Sequence, residues 1–326
     1  MLYFRESLLP LLSISDRVQD LDVSMLSMDQ MLLHSVAALH ITHVLCQKPD
    51  KVLSPLGSEE KGKALRMIIE CVLSRPTNKN NHLLCILDCI ILLDAVAAQH
   101  HLAGGNSILK HWADIESANF QQEHAFSILM LSIFATMDLT HALLIGKIPY
   151  IPASWWTRFG NYMTCWGRIP KVDEFLEITA IFSRLATIGC KKTNSLDTAE
   201  TEELDLIEKD LEQHVMRRTE GHKSQDQAAW ANFCACYQLS ASVYLYSVLE
   251  LLDVDDTHVQ KAVTGYIEVM SSRNITTNLR NYILFPLLII SSHFLERKQR
   301  VTISESISRI ADYRSFAVPQ LLQSFL

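Results

Sequence analysis

Residues 125–156, AFSILMLSIFATMDLTHALLIGKIPYIPASWW, decide the reading of this chain. Phe126, Leu129, Met130, Ile133, Phe134 and Met137 recur at helical spacing and make one face apolar. Ile128, Leu131, Ala135 and Leu139 make the opposite face apolar too, so the pattern predicts a helix buried all round. It is expected to end near Gly146, because Pro149 and Pro152 cannot continue it. Asp138, placed inside such a helix, needs a buried hydrogen-bond partner. A Trp155-Trp156 pair follows the proline-rich exit.

Helix-start signals recur on both sides of this segment. Capping boxes read as Asp197-Thr-Ala-Glu200, Ser224-Gln-Asp-Gln227, Thr257-His-Val-Gln260 and Thr302-Ile-Ser-Glu305. Pro152 and Pro170 sit where a first helical position is expected. The pattern predicts helices near 2–12, 28–47, 59–75, 80–102, 105–116, 121–145, 152–163 and 170–189. Further helices are predicted near 198–218, 225–252, 257–272, 278–297 and 303–315. No segment shows clean period-2 alternation, and no internal repeat has a fixed period.

With 326 residues, 48% of them hydrophobic and only 10 glycines, the chain can bury a large helical core. The expected fold is therefore all-α: a single large domain of about a dozen packed helices over residues 1–326. The clearest shift in composition runs through 191–227, rich in Glu, Asp, Thr and Ser. Leu204, Ile207, Leu211 and Val215 keep a helical stripe there, so it is read as an exposed amphipathic excursion with a solvated acidic face.

A formal charge of −7 disfavours direct nucleic-acid contact, which needs clustered Lys and Arg to displace counterions. The densest basic group, Arg297, Lys298 and Arg300, has Glu296 beside it and reads as a helix end stabilised by the macrodipole. Arg5 and Glu6 interrupt the apolar start, so no signal peptide is expected. No stretch reaches the roughly 18 apolar residues of a membrane span. Cys46, Cys71, Cys85, Cys89, Cys165, Cys190, Cys234 and Cys236 lie mostly in apolar helical stretches and read as buried free thiols. A soluble intracellular protein is the expectation.

Three metal-like spacings are weighed and set aside. His40, His43 and Cys46 repeat every third residue on one helix, but a closed site needs four ligands, and they read as the rim of a packed face. Asp138-x-x-His141 and Asp255-x-x-His258 resemble carboxylate–His units of di-iron bundles only faintly, since those sites use Glu and further inward carboxylates. Asp255 is explained by capping at a helix start. Cys234-x-Cys236 and Cys85-x-x-x-Cys89 lack zinc spacing, and helical residues two apart diverge by about 200°. Asp255-Asp256-Thr-His-Val also lacks the second carboxylate of a magnesium-binding DDxxD helix. No GxSxG, phosphate-loop or dinucleotide motif occurs. The reading is that the chain is not an enzyme, with no catalytic residue, metal or cofactor.

Several segments, in order, carry a family resemblance. They are Tyr3-Phe4-Arg5-Glu6-Ser-Leu-Leu-Pro10, the Ala-rich Leu33–His40, and His101-Leu102-Ala103-Gly104-Gly105 with Ile108-Leu109. Phe134–Asp138 with Gly146-Lys-Ile-Pro149, then Ile283-Leu284-Phe285-Pro286-Leu287-Leu288-Ile289, and finally Arg300 complete the set. Taken as structure these residues are core, with Pro286 kinking a helix and Gly104-Gly105 breaking one. Together the set resembles the fungal-specific transcription factor domain, the regulatory region of fungal zinc-cluster transcription factors. The six-cysteine zinc cluster of full-length members has no counterpart in this sequence, which starts almost directly on the family segment.

The resemblance implies a nuclear (alternatively cytoplasmic) effector-sensing or inhibitory module of transcription, in secondary or nutrient metabolism. Its implied partners are the transcription machinery or a zinc-cluster transcription factor, with a small hydrophobic effector. Trp155, Trp156, Phe159, Tyr162 and Trp166 are the candidate ligand-binding residues, though the same aromatics could simply fill core space. The alternative is a free-standing adaptor or dominant-negative interaction protein without DNA contact. In that reading Phe316, Leu321, Leu322, Phe325 and Leu326 would form a docking peptide.

Overall fold

The computed structural model describes residues 2–11, 23–48, 50–74, 125–159, 172–191, 198–218, 225–248, 252–272, 275, 279 and 281–311. Among these residues all regular structure is helical and no strand occurs. The fold is all-α, as the periodicity predicts. No helix among the described residues is long and apolar enough to cross a membrane. By contacts the chain divides into two compact units, Met1–Asp138 with Tyr162–Arg168, and Leu139–Asn161 with Ile169–Leu326.

In the first unit a π-helical turn, Phe4–Leu8, runs into a 3-10 turn, Leu9–Leu11, and buries Phe4, Leu8 and Leu9. Helices α1 (Met25–Met28), α2 (Gln30–Gln47) and α3 (Leu53–Ser74) follow. Asp29 caps α2 by accepting from the amides of Met31 and Leu32 at 2.8 and 3.0 Å. The third helix starts earlier than its predicted position near 59. The Asp50 carboxylate takes the amides of Val52 and Leu53 at 2.7 and 3.2 Å, a cap that makes Pro55 and Gly57 tolerable in the opening turns. A helical hairpin of α2 and α3 results, with Leu32, Leu39 and Ala64 in its core. The deciding segment forms α4 (Ala125–Ile145), which buries Leu129, Met130, Leu131 and Phe134 together with Asp138.

In the second unit, α4 ends where expected. Gly146 takes φ +66°, a left-handed conformation that glycine adopts without steric cost, and the Lys147 amide reaches back to the Ala142 carbonyl at 2.9 Å. Its last turn departs from the prediction of burial all round, since Leu144 and Ile145 are exposed. Helices α5 (Ala153–Phe159), α6 (Val172–Lys191), α7 (Thr198–Arg218) and α8 (Gln225–Val243) follow. The last three are α9 (Thr257–Ser271), α10 (Leu284–Ser291) and α11 (Arg297–Ala311).

Helix α8 packs on α6, α7, α9 and α10. Its small residues Ala229, Ala231, Ala235, Ser240 and Ala241 are buried, which allows neighbours to approach from several sides. The acidic segment is likewise packed: Leu204, Ile207 and Leu211 are buried, and Arg184 of α6 bridges Glu203 and Asp210 of α7 at 2.5 and 2.9 Å.

Three C-terminal expectations change. The cap of α9 is Asp256, whose carboxylate accepts from the His258 amide at 2.7 Å, one residue after the predicted Asp255 and before Thr257. Gln260 instead donates to the carbonyls of Val254 and His293 at 2.7 and 3.1 Å. The helix predicted over 278–297 is a 3-10 turn, Asn281–Ile283, followed by α10, so Pro286 lies in a first turn rather than at a kink. A first turn has no internal acceptor for the missing N–H, which removes the penalty. Arg297, Lys298 and Arg300 open α11 instead of closing a helix, because Gln299 caps the preceding amides of Leu295 and Glu296, both at 3.0 Å. Thr302 is therefore inside α11, its hydroxyl donating to the Lys298 carbonyl at 3.1 Å.

Candidate functional site

The sequence places the candidate site on α5 and beyond. Trp155 is half-buried and Trp156 is fully buried there, and α5 packs on α6. The link before it is fastened by the Ser183 hydroxyl, which donates to the Ile151 carbonyl at 3.4 Å. The Phe159 side chain, Tyr162 and Trp166 lie outside the described residues. So do Cys85, Cys89, Cys165, the glycine pair at Gly104-Gly105 and the C-terminal tail from Phe316 onward.

A larger aromatic assembly, not foreseen from the sequence, occupies the second unit. Trp230, Phe233 and Tyr237 form an i, i+3, i+7 stripe on α8. Phe175 and Phe182, two turns apart on α6, lie against it, and Phe285 of α10 closes the row. Phe175 sits 5.1 Å from Tyr237 edge-on, Phe233 is 5.1 Å from Tyr237, and Phe182 meets Phe285 at 5.4 Å. Such pairs each contribute about 0.5–1.5 kcal/mol beyond their area. The Tyr237 hydroxyl donates to the Tyr282 carbonyl at 2.6 Å, which ties α8 to the 3-10 turn before α10.

The chemistry of this interior is that of a neutral, apolar environment. Burial pushes the Cys234 thiol and the Tyr237 and Tyr282 phenols up, and takes Tyr244 to about 12. None of them ionises near neutral pH, so the assembly offers aromatic faces and a few hydroxyls, with no thiolate nucleophile.

The metal-like spacings resolve into packing. Tyr3 stacks on His40 at 4.0 Å between ring centres, and its hydroxyl pairs with Nδ1 of buried His43 at 2.8 Å. Cys46 is exposed. Cys234 and Cys236 are both buried, with the Cys236 thiol 3.9 Å from the Met270 thioether. Among the described residues no three His, Cys, Asp or Glu side chains are grouped to hold a metal ion.

Comparison with known proteins adds the family. The model of the fungal specific transcription factor domain matches residues 1–320. No curated protein and no solved structure matches the chain. A match over nearly the whole sequence, on an all-helical frame, leads to one conclusion: this chain belongs to the fungal specific transcription factor domain family, and its role is regulatory, in fungal transcription.

Proposed function

We propose that the chain is an effector-sensing or inhibitory module of a zinc-cluster-type transcription factor, acting in the nucleus on genes of secondary or nutrient metabolism. The family match over 1–320 carries this reading. The aromatic interior supports it, because a row of six rings, with Tyr237 as its one phenol, is chemically suited to a small apolar effector. Trp155 and Trp156 would then act from the neighbouring α5, against α6. Regulation requires that an effector bind two states of the module unequally, since equal affinity shifts nothing.

The test is a reporter assay with the chain inserted between a heterologous DNA-binding domain and an activating segment. Output is expected to fall, and an apolar metabolite extract to restore it. Output that ignores the inserted chain would rule out the inhibitory role. A flat thermal-shift screen of the purified chain against apolar metabolites would rule out sensing.

A further inference from the structure

Tyr266 lies at 0% exposure within the buried stripe of α9, between Val263 and Met270. Among the described residues its hydroxyl has no hydrogen-bond partner. Other core tyrosines differ: Tyr237 donates to the Tyr282 carbonyl at 2.6 Å, and Tyr244 to the Leu143 carbonyl at 3.4 Å. An unpaired buried hydroxyl carries a desolvation penalty that phenylalanine would avoid. Burial, reinforced by nearby Cys236 and Tyr237, pushes the Tyr266 phenol well above its usual range. The group is thus a neutral O–H donor at any physiological pH. The sulfurs close by, Cys236 Sγ and Met270 Sδ at 3.9 Å from each other, are weak acceptors on adaptable side chains.

We infer that the Tyr266 hydroxyl anchors an internal site between α8 and α9 for a compact neutral ligand presenting an acceptor oxygen, supplied by a buried water or by a small carbonyl or ether compound. A charged ligand is excluded there, because burial among apolar and sulfur groups would leave its charge uncompensated. The inference does not depend on the regulatory reading. Its two sources share one chemistry, a single accepted hydrogen bond inside an apolar cage that can re-pack around a small occupant.

The test uses the full chain as wild type, Tyr266→Phe, Cys236→Ala and the double variant, compared by denaturant unfolding and native mass spectrometry. Tyr266→Phe is expected to shift the unfolding equilibrium roughly two- to tenfold toward the unfolded state. Unchanged or greater stability would overturn the site, because the hydroxyl would then have had no acceptor. Loss of the whole effect in the Cys236→Ala background would also overturn it, assigning the acceptor to the thiol. With the destabilisation established, an organic mass on wild type that is missing from Tyr266→Phe identifies a compound. Bare protein in both spectra identifies water.

Discussion

Gly57 of α3 passes Ile41 of α2 so closely that a methyl group at Gly57 would lie 2.9 Å from Ile41 Cγ2. The contact sets how closely the two helices approach at that end of the hairpin. Ala ordinarily gains about 1 kcal/mol over Gly inside a helix. Here the clash is with a β-branched side chain held in one rotamer, so it cannot be relieved cheaply. Gly57→Ala is expected to destabilise by about 1–3 kcal/mol. Ile41→Leu, which removes the Cγ2 methyl on the β-carbon, should restore most of the loss in thermal melts. A Gly57→Ala protein that melts at or above wild type would refute the contact.

Arg184 links α6 to α7 through Glu203 and Asp210. Burial works against its charge, yet the two carboxylates outweigh it and raise the guanidinium pKa further. Both carboxylates remain partly in solvent, so the link is expected to contribute only about 1 kcal/mol. Arg184→Met should speed amide exchange in 198–213 more than elsewhere in the second unit. Arg184→Lys should recover less than half of the protection, because one ammonium cannot reproduce the forked geometry. Uniform exchange across the unit would disprove the local role.

Gln238 is buried on α8, and its amide donates to the Leu211 carbonyl of α7 at 2.7 Å. Gln238→Met keeps the volume and removes this second donor from a carbonyl that also accepts an amide within its own helix. A loss of about 0.5–1.5 kcal/mol is expected, the net worth of one hydrogen bond. Equilibrium urea unfolding measures it, and a midpoint equal to wild type would show that the link between α7 and α8 contributes nothing to stability.

Glu60 accepts from Lys63 at 2.8 Å and pairs with His34 at 2.6 Å, and these partners hold its carboxyl below the usual carboxylate range. Because the folded pKa is depressed, the stabilisation is complete above the unfolded value, about 4.3. It disappears as pH falls through the folded value. The denaturation midpoint of wild type should therefore drop more steeply than that of Glu60→Gln between pH 5 and pH 3 (roughly the span of a depressed carboxyl). Parallel curves would count against the network.

Much of the frame was legible because each helix carries its own signals. The predicted helix over 198–218 matches α7 at both ends. It does so because an acidic start and the Leu204, Ile207, Leu211 stripe are local features. Asp50 was missed as the cap of α3 because Pro55 and Gly57 outweigh it on propensity, whereas Pro in a first turn costs nothing. The break after Ser291 was missed because apolar periodicity alone cannot detect that Gln299 satisfies the amides ahead of α11.

For the candidate site, Trp155 and Trp156 stood out as neighbours in sequence, while the larger aromatic row did not. Its members Phe175, Trp230, Tyr237 and Phe285 come from three separate helices. By itself the sequence determined the all-helical class, most helix starts, the apolar faces and the family, because composition, capping and period act within a few residues. Only tertiary structure decided which faces meet: Phe175 against Tyr237, Gly57 against Ile41, Arg184 between two carboxylates, and the Tyr266 hydroxyl without a hydrogen-bond partner among the described residues. Those pairings depend on how whole helices pack, and hydrophobic burial, being non-directional, specifies that a face be covered without specifying by which neighbour.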